Sequence, residues 1–274
     1  MQERHATTSY LHGYTPHEQQ RLRQQAAITE ALIYQSVELR SVESLLEIGC
    51  GVGAQSEILL RRFPQLRLHG VDINEAQIRQ ANANLAESTI DPARYQFSVM
   101  NASELQFSDQ QFDAVFICWV LEHISDPLSV LREARRVLKE RGVIYLTEVM
   151  NSSLLLSPRS VAVEQYWQRF NEVQQQQGGD PYVGAKLGNL LQAAEFRDIV
   201  LEPKSFHYDN REPEKRTAML RYWTGLMLSA ADAIREARGL NRADIQAMEA
   251  DMHEREHLPE TIFFYSFIQA KAHR

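Results

Sequence analysis

Leu45-Leu46-Glu47-Ile48-Gly49-Cys50-Gly51-Val52-Gly53 carries the strongest structural signal in the chain. An apolar run ends in three glycines at alternate positions, and a helix-compatible segment, 54–63, follows at once. The pattern describes a strand entering a turn too tight for side chains, with the turn opening a helix. Glycine tolerates positive φ there and lets the main chain come into contact with a ligand. Such a turn at the carboxyl end of a strand is where open α/β sheets bind nucleotides.

Working outward, the chain alternates. Strand-like apolar runs fall at 44–48, 66–71, 95–99, 112–118 and 142–149, and helical patterns at 54–63, 75–87 and 126–138 lie between them. Short buried strands alternating with helices predict a parallel sheet with helices on both faces. Arg141-Gly142 is expected to end the third of these helices, with glycine as the left-handed cap. Before the sheet, Thr15-Pro16-His17-Glu18 predicts a capped helix running to about Val37, entered through Tyr10-Leu-His-Gly-Tyr14. After Asn151 the rhythm changes: 152–160 is polar and broken by proline, 161–177 and 183–194 are helical, and 199–207 and 261–270 are strands. Between those two strands, 213–256 is a mostly helical block carrying Met219, Tyr222, Trp223 and Met227. The expected fold is a three-layer, doubly wound α/β, Rossmann-like sheet of seven mostly parallel strands, with an antiparallel last strand and a helical lid insertion. The expected division is an arm or lid over 1–40, a nucleotide-binding core over 41–150, and completion of the sheet over 151–274 with the lid near 208–258.

Bulk properties narrow the function. The 274 residues carry a net charge of −7, which leaves no basic field for counterion release from a polyanion, so nucleic acid is not an expected partner. Two cysteines fit a reducing compartment, no stretch approaches a membrane span, and the first ten residues lack an apolar signal region. The expectation is a cytoplasmic protein, monomeric or homodimeric. No His/Cys/Asp spacing resembles a metal site. His253 and His257, four apart on a helical pattern, lack an evident third ligand and read as a solvated face.

The strand ends carry the chemistry. Asp72 closes the second strand, about twenty residues past the glycines, where a carboxylate accepts from ribose hydroxyls. The third strand ends at Asn101-Ala102, and the fourth runs into Cys118-Trp119-Val-Leu-Glu122-His123. Together, Glu47 to Gly53, Asp72, Asn101-Ala102 and Phe112 to His123 resemble the ordered motifs of class I S-adenosylmethionine-dependent methyltransferases. The likeness is good over about 45–149. A dinucleotide dehydrogenase calls for Gly-x-Gly-x-x-Gly, whereas the spacing here is Gly-x-Gly-x-Gly behind an acidic residue. The arm at Tyr10–Leu22 is also similar to that of small-molecule enzymes of the family.

The resemblance implies S-adenosyl-L-methionine as cofactor and a small-molecule methyl acceptor, with transfer to N, O or C. Glu47 and Gly49, with Gly51 and Gly53, would line the methionine part, and Cys50 and Tyr14 are further expected cofactor contacts. Asp72 would take the ribose hydroxyls and Ile73 would pack on adenine. Asn101, where the family often has aspartate, would accept from the adenine amino group, and Ala102 would offer its N–H to the ring. Cys118 would present its carbonyl near the cofactor's amino group, and Trp119 and His123 would border the acceptor. Any general base is expected among His123, Glu148 and Tyr14. Protein or RNA methylation, and a non-catalytic S-adenosylmethionine-binding regulator, are the alternatives.

Overall fold

A computed structural model describes residues 10–237 and 239–274. The elements run in chain order as α1 (Pro16–Ile33), β1 (Ser44–Ile48), α2 (Ala54–Arg62), β2 (Arg67–Asp72), α3 (Glu75–Ala86), β3 (Tyr95–Val99), β4 (Phe112–Cys118), α4 (Pro127–Val137) and β5 (Leu138–Val149). They continue as β6 (Leu155–Ser157), α5 (Val161–Gln176), α6 (Leu187–Ala193), β7 (Arg197–Tyr208), α7 (Pro213–Ser229), α8 (Ala231–Glu236), α9 (Arg242–His257) and β8 (Ile262–His273).

Strands β3, β2, β1, β4 and β5 lie side by side in that order and run parallel. β8 is antiparallel to β5, and it also pairs antiparallel with β6 and β7. Alternate residues face opposite ways along a strand, and the core divides accordingly. Leu45, Ala114, Phe116 and Tyr145 face a cluster with Ile58, Leu59 and Leu85 of α2 and α3. Leu46, Ile48, Val115, Ile117, Ile144 and Leu146 face a cluster with Val130, Leu131, Leu187 and Leu191 of α4 and α6. These are the three layers. Because β1 is flanked by β2 on one side and β4 on the other, the connections diverge there and open a crevice at the strands' carboxyl ends.

Local chemistry sets the helix starts. The Thr15 side chain accepts the Glu18 N–H with Pro16 in the first turn, and Asn74 accepts the Ala76 and Gln77 N–H groups at the start of α3. Asp126 caps α4 in the same way. At the amino ends of the strands, Asp113 accepts from the Ser44 N–H and hydroxyl and from Lys139, stitching β4 to β1 and β5.

The structure differs from expectation in three places. An eighth strand, β6, lies in the proline-broken stretch and pairs over three residues with β8. The first helix stops at Ile33 rather than near Val37. The mostly helical block after β7 consists, as expected, of helices: α7, α8 and α9. Gly142 is not the left-handed cap: α4 ends at Val137, and Arg141 has the positive φ of 70°. Gly142 is needed for room instead, since a Cβ there would stand 2.9 Å from the Lys139 carbonyl oxygen.

Candidate active site

A cavity of about 1070 Å³ opens at the carboxyl ends of β1, β2 and β4. Gly49, Cys50, Gly51, Asp72, Ile73, Asn101, Ala102, Cys118, Trp119 and His123 all line it, with Tyr14 from the amino-terminal segment. Small-molecule sites span about 300–1,000 Å³, so this one lies at the large end of that range.

The glycine turn is held from beneath. The Gly49 and Cys50 N–H groups both donate to the Val71 carbonyl, at 2.8 and 3.0 Å. Gly51 donates to Asp72 Oδ2 at 3.0 Å, and the Asn74 N–H donates to Asp72 Oδ1 at 2.9 Å. Each carboxylate oxygen keeps a lone pair for a further donor. Burial raises the Asp72 pKa, and the backbone N–H groups of Asn74, Gly51 and Ile73 oppose the rise. Beside it, Ile73 is 64% exposed, an apolar side chain standing on a cavity wall.

The three glycines differ in what they make possible. At Gly49, φ is +70° and a Cβ would lie 2.4 Å from Val120 Cγ2, so the turn packs against the segment after β4. Gly53 is the left-handed N-cap of α2, where a Cβ would lie 2.8 Å from Leu85 Cδ2 of α3. Gly51, at φ +51°, has only Leu22 Cδ1 near, at 3.8 Å, and faces the open space. Gly53 and Glu47 are not on the cavity wall. Glu47 is buried, accepts the Ser56 hydroxyl of α2, and is pushed up by burial to about 8.

Beyond the turn, the Asn101 side-chain oxygen accepts the Ser103 N–H at 3.0 Å. Trp119 follows β4 with φ of +55°, an uncommon conformation for a bulky residue, and donates its N–H to the Thr147 carbonyl at 2.8 Å. Burial raises the Cys118 thiol well above its ordinary value, so it is no thiolate nucleophile.

The expected bases fare differently. His123 is on the wall, with its ring edge-on to Tyr10 at 4.9 Å between centroids, and burial lowers its pKa. Glu148 is a correction: it does not line the cavity, and its Oε1 accepts the N–H groups of Val120 and Leu121 at 3.0 and 2.8 Å. Burial, with Glu122 adding repulsion, raises it to about 8. Tyr14 is also a poor base, because burial and the nearby Asp72 raise its phenol pKa.

Several wall residues carry no motif. Arg21 of α1 makes a bidentate pair with Glu18, at 2.7 Å for each nitrogen, and both side chains are almost wholly buried. Tyr10 donates to Glu18 at 2.8 Å, and Arg21 reaches Tyr222 of α7 at 3.3 Å. This network joins the amino-terminal segment to α1 and α7 over the cavity. The one sequence signal for it is a pair of opposite charges three apart beside the aromatic entry. Trp167 and Phe170 of α5 and Trp223 of α7 complete an aromatic wall. His253 is paired with Glu256, and no group of three or more metal-ligating side chains occurs among the described residues.

Comparison with known proteins agrees with the geometry. Residues 46–146 match the family model described as a methyltransferase domain. The chain is 30% identical over 194 residues to 27-O-demethylrifamycin SV methyltransferase of Amycolatopsis mediterranei, covering 71% of this chain and 66% of that protein. It is 32% identical over 108 residues to demethylmenaquinone methyltransferase of Thermotoga maritima, 39% of this chain and 44% of that one. The chain thus spans less than two thirds of the length of these relatives. Among solved structures, phosphoethanolamine N-methyltransferase 2 of Haemonchus contortus superposes with a TM-score of 0.58 at 17% identity, over 92% of this chain and 53% of that one. At that identity the likeness speaks for the fold alone. With these matches, residues 46–146 form a methyltransferase domain, and the ordered turn, acidic strand end and sheet order give the chain the class I fold of S-adenosylmethionine-dependent methyltransferases.

Proposed function

We propose that this protein transfers a methyl group from S-adenosyl-L-methionine to a small-molecule acceptor. The observation that carries the proposal is one continuous cavity lined both by the glycine turn and Asp72 and by the aromatic side chains Trp167, Phe170, Trp223 and Tyr265. The residues fit the cofactor. Gly51 leaves its approach open, Asp72 has free acceptor capacity for two hydroxyls, and Ile73 offers an exposed apolar face for a purine ring. Asn101 keeps a second lone pair for an amino group. Ala102 supplies a backbone donor, and Cys118 and Trp119 line the same cavity. Glu47 and Gly53 act from behind the wall by fixing α2 and α3 against the turn.

When bound, S-adenosylmethionine supplies a methyl carbon already activated by its sulfonium. The protein's part is therefore to orient the acceptor and exclude water. Orientation of two bound reactants is worth roughly 7–11 kcal/mol, against about 3–5 kcal/mol from a positioned base. The arm and the helices between β7 and β8 act as the lid over the acceptor half, with the core at 41–150 holding the cofactor. This roofing supports a small acceptor over a protein or RNA. Two free cysteines support a reducing, cytoplasmic setting, and no described helix is long and apolar enough to cross a membrane.

Calorimetric titration with S-adenosylhomocysteine, followed by a labelled-methyl assay against a metabolite extract, tests this reading. Micromolar binding and a labelled product are expected. Absence of binding overturns it, and binding without transfer to any metabolite moves the protein to the regulator class.

A further inference from the structure

His12 lies in the loop before α1, on the cavity wall. Its Nδ1 stands 2.6 Å from the hydroxyl oxygen of Ser229, the last residue of α7. That hydroxyl lies 2.8 Å from the Leu226 carbonyl oxygen. A serine hydroxyl has one proton, and a carbonyl oxygen has none to give. The Ser229 proton is committed to Leu226, so Ser229 accepts from His12 and the ring proton sits on Nδ1. Nε2 then carries the lone pair. It makes no hydrogen bond among the described residues, and it is not one of the buried atoms shut away without a partner.

The surroundings keep that nitrogen uncharged. Tyr10 and Phe170 pack on the ring at 5.3 and 5.6 Å, and His123 stands at 6.4 Å, nearly perpendicular. Among the described residues, the ionisable groups around it are Tyr10 in the same loop, Glu18 and Arg21 on α1, Glu122 and His123 after β4, and Tyr222 on α7. Burial first, then Arg21 and His123, holds its pKa well below the ordinary imidazole value. His123 lacks such a fixture: its Nε2 is 3.7 Å from Glu122, beyond a hydrogen bond, so no described residue selects its tautomer.

We propose that His12, oriented by Ser229, is the general base of the transfer, and that the acceptor is a hydroxyl on a flat aromatic molecule. The class follows from two features. A neutral amine attacks through a lone pair it already has, whereas an aromatic hydroxyl must lose a proton, which is the service an oriented imidazole provides. The acceptor half is walled by Trp167 and Phe170, stacked at 4.8 Å, with Trp223 and Tyr265 beyond, and such faces suit a flat ring. The hydroxyl proton passes to His12 Nε2 as an oxygen lone pair forms the new C–O bond. The electron pair of the breaking C–S bond stays on sulfur, and the imidazolium then releases its proton to solvent.

This inference rests on the methyl-transfer reading, and the experiment separates the two. The probes are 2-naphthol, protonated at neutral pH, and 2-hydroxy-1,4-naphthoquinone, which is already ionised. Wild type is expected to methylate both. His12→Gln is expected to lose about 10²–10⁴-fold on 2-naphthol while staying within about threefold on the ionised probe. Ser229→Ala is expected to lose about tenfold on 2-naphthol and to move the acid limb of the pH–rate profile to lower pH, because the imidazolium loses its acceptor. Ser229→Thr is expected to restore both. Histidine ¹⁵N NMR, assigned with His12→Gln, is expected to show a neutral Nδ1–H tautomer at pH 7 that is lost in Ser229→Ala. Equal loss on both probes, or the Nε2–H tautomer, overturns the base. No transfer to either probe by a wild-type protein that binds S-adenosylhomocysteine overturns the acceptor class. Failure of that binding overturns the methyl-transfer reading and this assignment with it.

Discussion

The carboxylate of Asp72 accepts the backbone N–H of Gly51 at 3.0 Å, tying the end of β2 to the turn that ends β1. One side chain thereby shapes the glycine turn and presents its remaining lone pairs to the cavity. Removing it takes away a positioned acceptor and loosens the turn together. Hydrogen bonds to a charged group are worth about 1.5–3 kcal/mol. Asp72→Ala is expected to weaken S-adenosylhomocysteine binding about 10–100-fold by calorimetry, with Asp72→Asn in between. Unchanged affinity removes Asp72 from the site.

Gly49 tests the packing of the turn against the segment after β4. An alanine Cβ there meets Val120 Cγ2 at 2.4 Å and inherits a φ of +70°. The left-handed conformation costs about 1–2 kcal/mol and overpacking about 1–3 kcal/mol more. Gly49→Ala is expected to lower stability by their sum in urea denaturation. Combining it with Val120→Ala is expected to recover only the steric part, leaving the backbone cost. Full recovery shows that φ is unstrained, and no recovery places the clash elsewhere.

How much of this was legible follows from how local each feature is. The bounds of β1, β3 and β4 coincide with the apolar runs at 44–48, 95–99 and 112–118, because buried parallel strands write themselves as such runs. Asp72 was readable from its distance to the glycines. β6 was not, since three residues become a strand only because β8 extends past β5 to meet them. The Glu18–Arg21 pair carries no motif, and Arg21 finds a further partner in Tyr222, 201 residues away. The tautomer of His12 is set by Ser229, 217 residues on, and no spacing rule reaches that far.

Glu148 makes a pH prediction whose sign follows from burial. Its folded pKa is raised from 4.5 to about 8, so between those values the folded protein binds a proton that the unfolded chain has released. Its contribution is fully present below about pH 4.5 and is lost as pH rises through about 8. Glu47, raised to about 8 by burial, acts in the same direction. Each is worth on the order of a few kcal/mol across that window. Wild type is expected to lose thermal stability steadily from pH 5 to 8. Glu148→Gln keeps the oxygen that accepts from Val120 and Leu121 but does not ionise, so it is expected to flatten part of that slope and to melt higher at pH 8. Its methyl transfer at pH 7 is expected to stay near wild type. Abolished transfer with the fold intact makes Glu148 the base after all.

Glu18 and Arg21 supply the sharpest stability test of the roof. Their side chains are 1% and 5% exposed, so the charges are compensated by each other and by Tyr10, Tyr222 and Gln25, not by water. Removing one partner from a buried pair leaves an uncompensated charge and costs about 3–5 kcal/mol, whereas replacing both with apolar residues is often neutral. Glu18→Gln is expected to destabilise by about that amount, while Glu18→Leu combined with Arg21→Met is expected to melt near wild type. The network also ties the first segment to α7 across the cavity, so the double variant is expected to lose affinity for the acceptor more than for S-adenosylhomocysteine. Equal loss of both ligands means that the pair holds the whole cavity rather than its roof.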